Sequence, residues 1–395
     1  MTSARRFDKS DQDLIQSAVS LRPFLAEQAS RHESSRQILK ETIHAIDDAD
    51  LWAVIVPRRH GGLGRSVEVM NRISTELAKG CPSTAWVYYV LNTGSWSASR
   101  LAEPAREILF RDGVPRVCGS GRAGLMRQTP GGYRVNGRWD YASGCQNADW
   151  GLFPVGLEND DGQCVRTGRV CIRLTDLLID DNWHSAGLAG SGSHTVCADD
   201  VLVPDALFIP NDQAPLQVAI DVQEDADRLA MLPLVRITAM GPILGAADAM
   251  LEEVSKRVGN RGLIYTSYTR QSDSQVVQHA LGKIAAQLGA AHLLVERGEQ
   301  QIDRAAADRH EISYEARARL RGEISLTVEL VSRAAEQLMF LGGSSGFGLS
   351  SNLQRYWRDI ATASRHGNLI PDIGYEIYGR ALLGIEPNIC SQDSI

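Results

Sequence analysis

Residues 133–145 read Tyr-Arg-Val-Asn-Gly-Arg-Trp-Asp-Tyr-Ala-Ser-Gly-Cys, and the fold follows from how they are read. Tyr133 and Val135 alternate with polar residues, the pattern of a strand with one buried face. Asn136-Gly137 follows, the dipeptide that a type I′ hairpin favours because both central residues need positive φ. Trp139 and Tyr141 resume the alternation, so a continuing strand points both rings to one face, as the wall of a site or as core. Ser143-Gly144, taken alone, is a strand-to-turn transition.

Working outward, the strand character runs from about 116 to 225. Gly, Asp and Ser clusters recur near 157–163 and 187–194, and Val201-Leu202-Val203-Pro204 reads as a last strand closed by proline. Before it, residues 1 to about 115 read as helical. Leu39, Ile43 and Ile46 form one helical stripe, and His60-Gly61-Gly62-Leu63-Gly64 breaks the pattern. Two helices are predicted over 65–112, with Cys81-Pro82-Ser83-Thr84 as the stop and cap between them. From about 226 the helical period returns. Ile284, Leu288, Ala291 and Val295 make one stripe, and Leu320, Ile324, Val328 and Val331 make another. Long antiparallel helices of this kind build a bundle. The expected fold is α+β: an N-terminal α-helical domain over 1–115, a middle β domain (barrel or sandwich) over 116–225, and a C-terminal four-helix bundle over 226–395.

The chain has 395 residues, 43% hydrophobic and 23% charged, with net charge −7. That is globular composition, and its acidity argues against nucleic acid or an anionic membrane as partner. The seven cysteines include no C-x-x-C pair and no Cys/His spacing of a zinc site, so no metal is expected. A reducing, cytoplasmic home fits that usage. The opening residues lack the apolar run of a signal peptide. The most apolar C-terminal stretch, Leu232 to Leu251, is interrupted by Arg236, and no membrane span is expected.

Gly119-Ser120-Gly121-Arg122-Ala123-Gly124 matches G-x-G-x-x-G. A dinucleotide site needs a helix to begin there, yet Thr129-Pro130-Gly131-Gly132 follows and then the hairpin pattern. No P-loop and no His-Glu-x-x-His occurs. The chain therefore carries no recognisable nicotinamide site. His366, in Ser364-Arg365-His366-Gly367-Asn368, reads by itself as a helix-end residue that caps carbonyls.

Together these pieces carry more. Val56-Pro57 with Gly61-Gly62-Leu63-Gly64, then Gly137-Arg138-Trp139-Asp140-Tyr141-Ala142-Ser143-Gly144, then Trp183, Gly187-Leu188, Gly192-Ser193 and Asp199-Asp200-Val201-Leu202-Val203-Pro204 occur in order. Gln275, Leu341-Gly342-Gly343-Ser344-Ser345-Gly346-Phe347-Gly348 and Arg355-Tyr356-Trp357-Arg358-Asp359 follow. This order resembles the acyl-CoA dehydrogenase fold along almost the whole chain. Where dehydrogenases of that fold carry a glutamate base, a few residues beyond the Arg-Asp pair, this chain has His366-Gly367. That wording, with Tyr375-Glu376-Ile377-Tyr378-Gly379-Arg380 and Leu382-Leu383-Gly384, resembles the flavin-dependent monooxygenase branch, the oxygenase components of two-component systems.

The resemblance implies an enzyme that holds reduced flavin, lets dioxygen add at C4a, and uses the C4a-hydroperoxyflavin to hydroxylate a phenol- or indole-type ring in natural-product tailoring. N-oxidation of an amine such as an amino sugar is the alternative. Dehydrogenation of an acyl thioester and a silent flavin-fold scaffold are further readings. The implied cofactors are reduced FAD, with FMN as the other option, and O2. The implied partners are a separate NAD(P)H:flavin reductase, a small aromatic substrate, and further copies in a homotetramer. By the same match, His366 and Ser143 are the catalytic candidates, Ser143 as the hydroxyl beside the flavin N5. Trp139, Tyr141, Ser143, Gly144, Gln275, Gly342 and Gly343 are the flavin-binding candidates. Trp96, His366 and Tyr375 are the substrate-binding candidates. Glu376 is either a relocated base or a residue of a helix surface. No histidine lies between His60 and His184, which sets the chain apart from phenol hydroxylases with a first-domain histidine.

Overall fold

A computed structural model describes residues 9–212, 223–391 and 395. Met1–Asp8, where the signal-peptide reading falls, and residues 213–222, beside the expected boundary at 225, lie outside the described residues. The N-terminal helices are α1 (Asp11–Ser35), α2 (Lys40–Asp48), α3 (Val67–Gly80), α4 (Pro82–Ser99) and α5 (Glu103–Leu109). Ser10 and Asp13 form a capping box that starts α1. Ile43 and Ile46 are buried on α2, while Leu39 caps it. Cys81 alone separates α3 from α4, in extended conformation, and Pro82 opens α4 where its missing N–H costs nothing. The stretch 65–112 holds three helices, not two. The extra helix, α5, is also opened by a proline, in Glu103-Pro104.

The β region is a mixed sheet of β1 (Val117–Gly119), β2 (Gly124–Thr129), β3 (Gly132–Trp139), β4 (Trp150–Glu158), β5 (Cys164–Arg173), β6 (Leu178–Asp180), β7 (Thr195–Val203) and β8 (Phe208–Pro210). The order is β6-β7-β3-β2-β4-β5-β8, with β1 parallel to β4. The predicted Asn136-Gly137 hairpin is not there: both residues lie inside β3, and the turn is Pro130-Gly131, which pairs Thr129 with Gly132. Tertiary contacts took over the dipeptide. Asn136 Oδ1 accepts the Asp200 N–H at 2.9 Å, across a register shift between β3 and β7. Gly137 leaves room for the Trp139 indole, since a Cβ there would meet the ring at 2.5 Å.

The predicted common face of Trp139 and Tyr141 also fails. Trp139 is fully buried, stacked on Phe153 at 4.4 Å, with Nε1 donating to the Pro154 carbonyl at 3.1 Å. Tyr141 has φ +61°, which ends the pleat, and its side chain is exposed. Pro204 closes β7 as expected, but β8 follows after one 3-10 turn and pairs with β5.

The C-terminal helices are α6 (Met231–Thr238), α7 (Met240–Val258), α8 (Gln275–Ala307), α9 (Tyr314–Gly342), α10 (Asn352–Ala363) and α11 (Pro371–Leu382). Both predicted stripes are buried, on α8 and α9. The stretch Met231–Val258 is long and apolar enough to cross a membrane by composition, but 78% of that window is buried inside the fold. Its hydropathy is that of a core helix.

Two acids on α8 join the bundle to the N-terminal helices. Glu299 is buried and hydrogen-bonded by the Asn71 amide of α3. Asp303, one turn on, accepts the Val67 and Glu68 N–H groups at the start of α3, at 2.9 and 3.2 Å. Burial pushes Glu299 up to about 8 and Asp303 up to about 6, with Glu68 adding like charge to both. An acid whose folded pKa is raised binds more protons in the native state. It therefore favours folding at low pH and loses that contribution as pH rises from its unfolded value through the folded one. Wild-type protein is expected to be more stable at pH 6 than at pH 8.5, and Glu299→Gln to flatten that slope. Urea titrations at both pH values check this; an unchanged slope in Glu299→Gln refutes it.

Candidate active site

A cavity of about 910 Å³ lies between α4, the Gly119–Arg122 loop, the end of β3, the 183–193 strap, α6 and the segment after α10. Its walls are mostly apolar, with Trp86, Tyr89 and Val90 from α4 facing Leu232 and Val235 from α6. A volume of this order suits a drug-sized ligand or a flat cofactor ring with a small guest.

Ser143 sits in its wall and heads a chain of hydroxyls. The Trp86 indole N–H donates to Ser143 Oγ at 3.2 Å, Ser143 Oγ meets Ser193 Oγ at 2.7 Å, and Ser193 meets Ser191 at 2.7 Å. The two segments that carry this chain are laced together. Ala142 N–H donates to His194 O at 3.0 Å, and Gly144 N–H to Ser191 O at 2.8 Å. Tyr141, Gly144, Leu188 and Gly192 all hold positive φ here. For Tyr141 and Leu188 that conformation costs on the order of 1–2 kcal/mol each, so surrounding contacts must hold it. Asp359 of α10 supplies one such contact: its carboxylate accepts the Leu188 N–H at 2.5 Å. Burial pushes Asp359 up to about 7. Gly187 lets the strap press on α10, since a Cβ there would lie 2.0 Å from the Arg358 carbonyl oxygen.

His366 follows α10 and caps the 3-10 turn Gly367–Leu369. Its Nδ1 accepts the Asn368 N–H at 3.2 Å, and its ring meets Trp86 edge-on with centroids 5.7 Å apart. Burial, with the Arg321 charge behind it, holds the imidazole pKa below its usual value, so the ring is neutral at pH 7. With Nδ1 accepting, the one ring proton is on Nε2. His366 is therefore a neutral donor.

Of the residues expected at the site, Tyr141, Ser143 and His366 line this cavity. Gly144 stands behind Ser143, with φ +71° and Val87 against its Cα. Trp139 belongs to the sheet core and is not a wall. Trp96 is also core: its Nε1 donates to Ala226 O at 2.6 Å and Arg100 lies over its ring. Its place in the last turn of α4, fully buried, keeps it from any substrate. Tyr375 and Glu376 lie on α11, half-buried and exposed, outside the cavity. Gln275 opens α8 and is exposed; Gly342 is buried against Leu353 and Gly343 is exposed. The G-x-G-x-x-G stretch is a loop between β1 and β2, with no helix at its end, and its first four residues line the cavity.

Sequence reasoning missed Trp86, Tyr89, Ser193 and Arg169 as lining residues. Ser193 was within reach, since Gly192-Ser193 belongs to the ordered motifs. Nothing in the period of α4 singles out Trp86, because nearly every face of that helix is buried.

The residues present fit a flavin. The cavity is large enough for its ring, apolar enough to keep it dry, and offers a positioned hydroxyl in Ser143.

Family models of the acyl-CoA dehydrogenase N-terminal domain and C-terminal domain match residues 10–105 and 237–370. A "Pigment production hydroxylase" of Rhodococcus sp. is 28% identical over 94% of this chain and 97% of its own length. An "FADH(2)-dependent resorcinol hydroxylase, oxygenase component" of Rhizobium sp. is 28% identical over 91% of each chain. The solved structure of XiaF from Streptomyces sp., in complex with FADH2 and glycerol, superposes with TM-score 0.92 at 30% identity, covering 96% of this chain and 97% of that one. The chain belongs to the acyl-CoA dehydrogenase family, in its branch of flavin-dependent monooxygenase oxygenase components.

Proposed function

We propose that this protein is the oxygenase component that hydroxylates a phenol- or indole-type ring with reduced flavin and O2, in natural-product tailoring. The single observation that carries the reading is the neutral His366 in the cavity wall, where a thioester dehydrogenase keeps a carboxylate base. Among the described lining residues the one carboxylate is Asp140, and it is bonded to Thr195 at 2.8 Å and paired with Arg122 at 3.6 Å. The apolar walls favour an aromatic guest over an amino sugar, whose hydroxyls would ask for polar partners. The names of the two relatives, a resorcinol hydroxylase and a pigment production hydroxylase, support the same class.

Reduced flavin, when bound, supplies the electrons that activate dioxygen. The chain's own residues set the conditions. Ser143 Oγ, fixed by Trp86 and Ser193, holds the proton at flavin N5. Trp86, Tyr89 and Leu188 exclude water, which protects whatever reactive species forms. His366 donates from Nε2 to an oxygen atom of the cavity's guest. With no dinucleotide fingerprint on a helix, the proposed source of reduced flavin is a separate NAD(P)H-dependent reductase.

FAD is the proposed flavin, held in part by Gln275 and Gly343. Both are exposed and outside this chain's cavity, so that role needs a second copy, and a homotetramer is the proposed assembly. Exposed Val276, Leu293, Phe340, Leu382 and Leu383 on the C-terminal helices support burial between copies. All seven cysteines are free thiols, which suits the proposed cytoplasmic home.

Rapid mixing of the protein, loaded with reduced FAD, against oxygenated buffer is expected to give a transient absorbing species before oxidised flavin returns. Ser143→Ala is expected to shorten its lifetime and raise peroxide release. Direct return of oxidised flavin in the wild type refutes the reading; an unchanged lifetime in Ser143→Ala removes Ser143 from the flavin. His366→Ala is expected to cut the hydroxylation rate by about 10²-fold or more. His366→Gln, which keeps a donor, is expected to restore part of it. Because the ring is already neutral, the wild-type rate is expected to show no His366-dependent step between pH 6.5 and 8. Light scattering during size exclusion is expected to report a tetramer; a monomer would leave Gln275 and Gly343 without a flavin to reach.

A further inference from the structure

Among the described residues, Ser143 Oγ has two side-chain partners, Trp86 Nε1 at 3.2 Å and Ser193 Oγ at 2.7 Å. An indole nitrogen only donates, so Ser143 accepts from Trp86. A hydroxyl has one proton and two lone pairs. Ser143 therefore has one lone pair and its own proton still to place. Ser193 is the one side-chain acceptor in reach of that proton among the described residues. Ser193 in turn meets Ser191 Oγ at 2.7 Å, and Ser191 stands behind it, fully buried. Backbone bonds on both sides of Ser193 fix its place. Ser191 O accepts the Gly144 N–H at 2.8 Å, and His194 O accepts the Ala142 N–H at 3.0 Å. The two serines that line the cavity, Ser143 and Ser193, are thus held against each other, and only their protons are free to turn.

We propose that Ser193 is a positioning residue that takes the Ser143 proton, keeps a Ser143 lone pair open toward flavin N5, and so sets the balance of affinity between reduced and oxidised flavin. This rests on the reading that puts Ser143 beside N5. Reduced flavin has a proton on N5; oxidised flavin has a bare lone pair there. Against the N–H, Ser143 accepts twice, from Trp86 and from N5, and must give its own proton to Ser193. The surplus proton of the series then falls to Ser193 or Ser191, not to Ser143. Against the bare nitrogen the links turn round: Ser191 donates to Ser193, Ser193 to Ser143, and Ser143 to N5. The change needs only rotation of hydroxyl protons, and no covalent bond forms or breaks. Without Ser193 the two flavin forms part company. The Ser143 proton still finds N5 of oxidised flavin, but beside reduced flavin it is a buried donor with no acceptor, the costlier kind of loss.

The test is anaerobic calorimetric titration of the full-length protein with FAD and with dithionite-reduced FAD. Ser193→Ala is expected to weaken reduced FAD relative to oxidised FAD by about 10-fold or more. Each tenfold appears as a fall of about 30 mV in the two-electron potential of the bound flavin. Ser193→Thr keeps the hydroxyl, and Ser191→Ala keeps the Ser143–Ser193 link. Both are expected to hold the wild-type ratio within about twofold. Equal weakening of both flavin forms in Ser193→Ala marks a purely structural serine and overturns the proposal. A fall in Ser191→Ala as large as in Ser193→Ala also overturns it. If Ser143→Ala lowers the ratio and Ser193→Ala does not, the proposal fails and Ser143 stays beside N5. If neither variant changes the ratio, Ser143 is not at N5 and both fall. The titration needs no turnover, so a ratio shifted as expected in a protein that yields no hydroxylated product defeats the hydroxylase reading alone.

Discussion

The site depends on one junction, where Tyr141–Gly144 is hydrogen-bonded to the 188–194 strap and α10 holds that strap through Asp359. Backbone that prefers another conformation is kept at Tyr141 and Leu188 because both neighbours are themselves fixed. The junction turns Tyr141 out of the pleat, aligns three serine hydroxyls in series, and brings His366 within ring contact of Trp86. Each of these comes from a different part of the chain. The cavity wall is a seam between the helical and β segments rather than the property of one of them.

Electrostatics inside that seam are simple. Few charged groups face the cavity, and the histidine there is uncharged because burial and Arg321 both disfavour the imidazolium. An apolar, water-poor space strengthens any hydrogen bond made in it, which is the condition for guarding a reactive oxygen species.

Several readings from sequence describe the structure well because they depend on local periodicity. The buried stripes of α8 and α9, the Cys81-Pro82 break and the closure of β7 by Pro204 need only the neighbours along the chain. Others failed where a distant partner decided. Asn136-Gly137 had every local reason to turn, yet Asp200 on β7 and the Trp139 ring claimed it for a strand. Trp139 and Tyr141 part company because strand pairing stops between them. Trp96 and Trp86 lie on one helix with similar burial, and only the packing of α4 against α10 and the sheet makes one core and the other wall.

What the sequence by itself determined is the order of helical, β and helical segments, the family, and a histidine in place of a carboxylate base. Those are matters of period and of residue identity at matched positions. The tertiary structure alone decided which side of His366 carries its proton, which serines continue from Ser143, and which tryptophan of α4 reaches the cavity. Each of these depends on groups far apart in the chain that meet only when the sheet, α4 and α10 close around a common space.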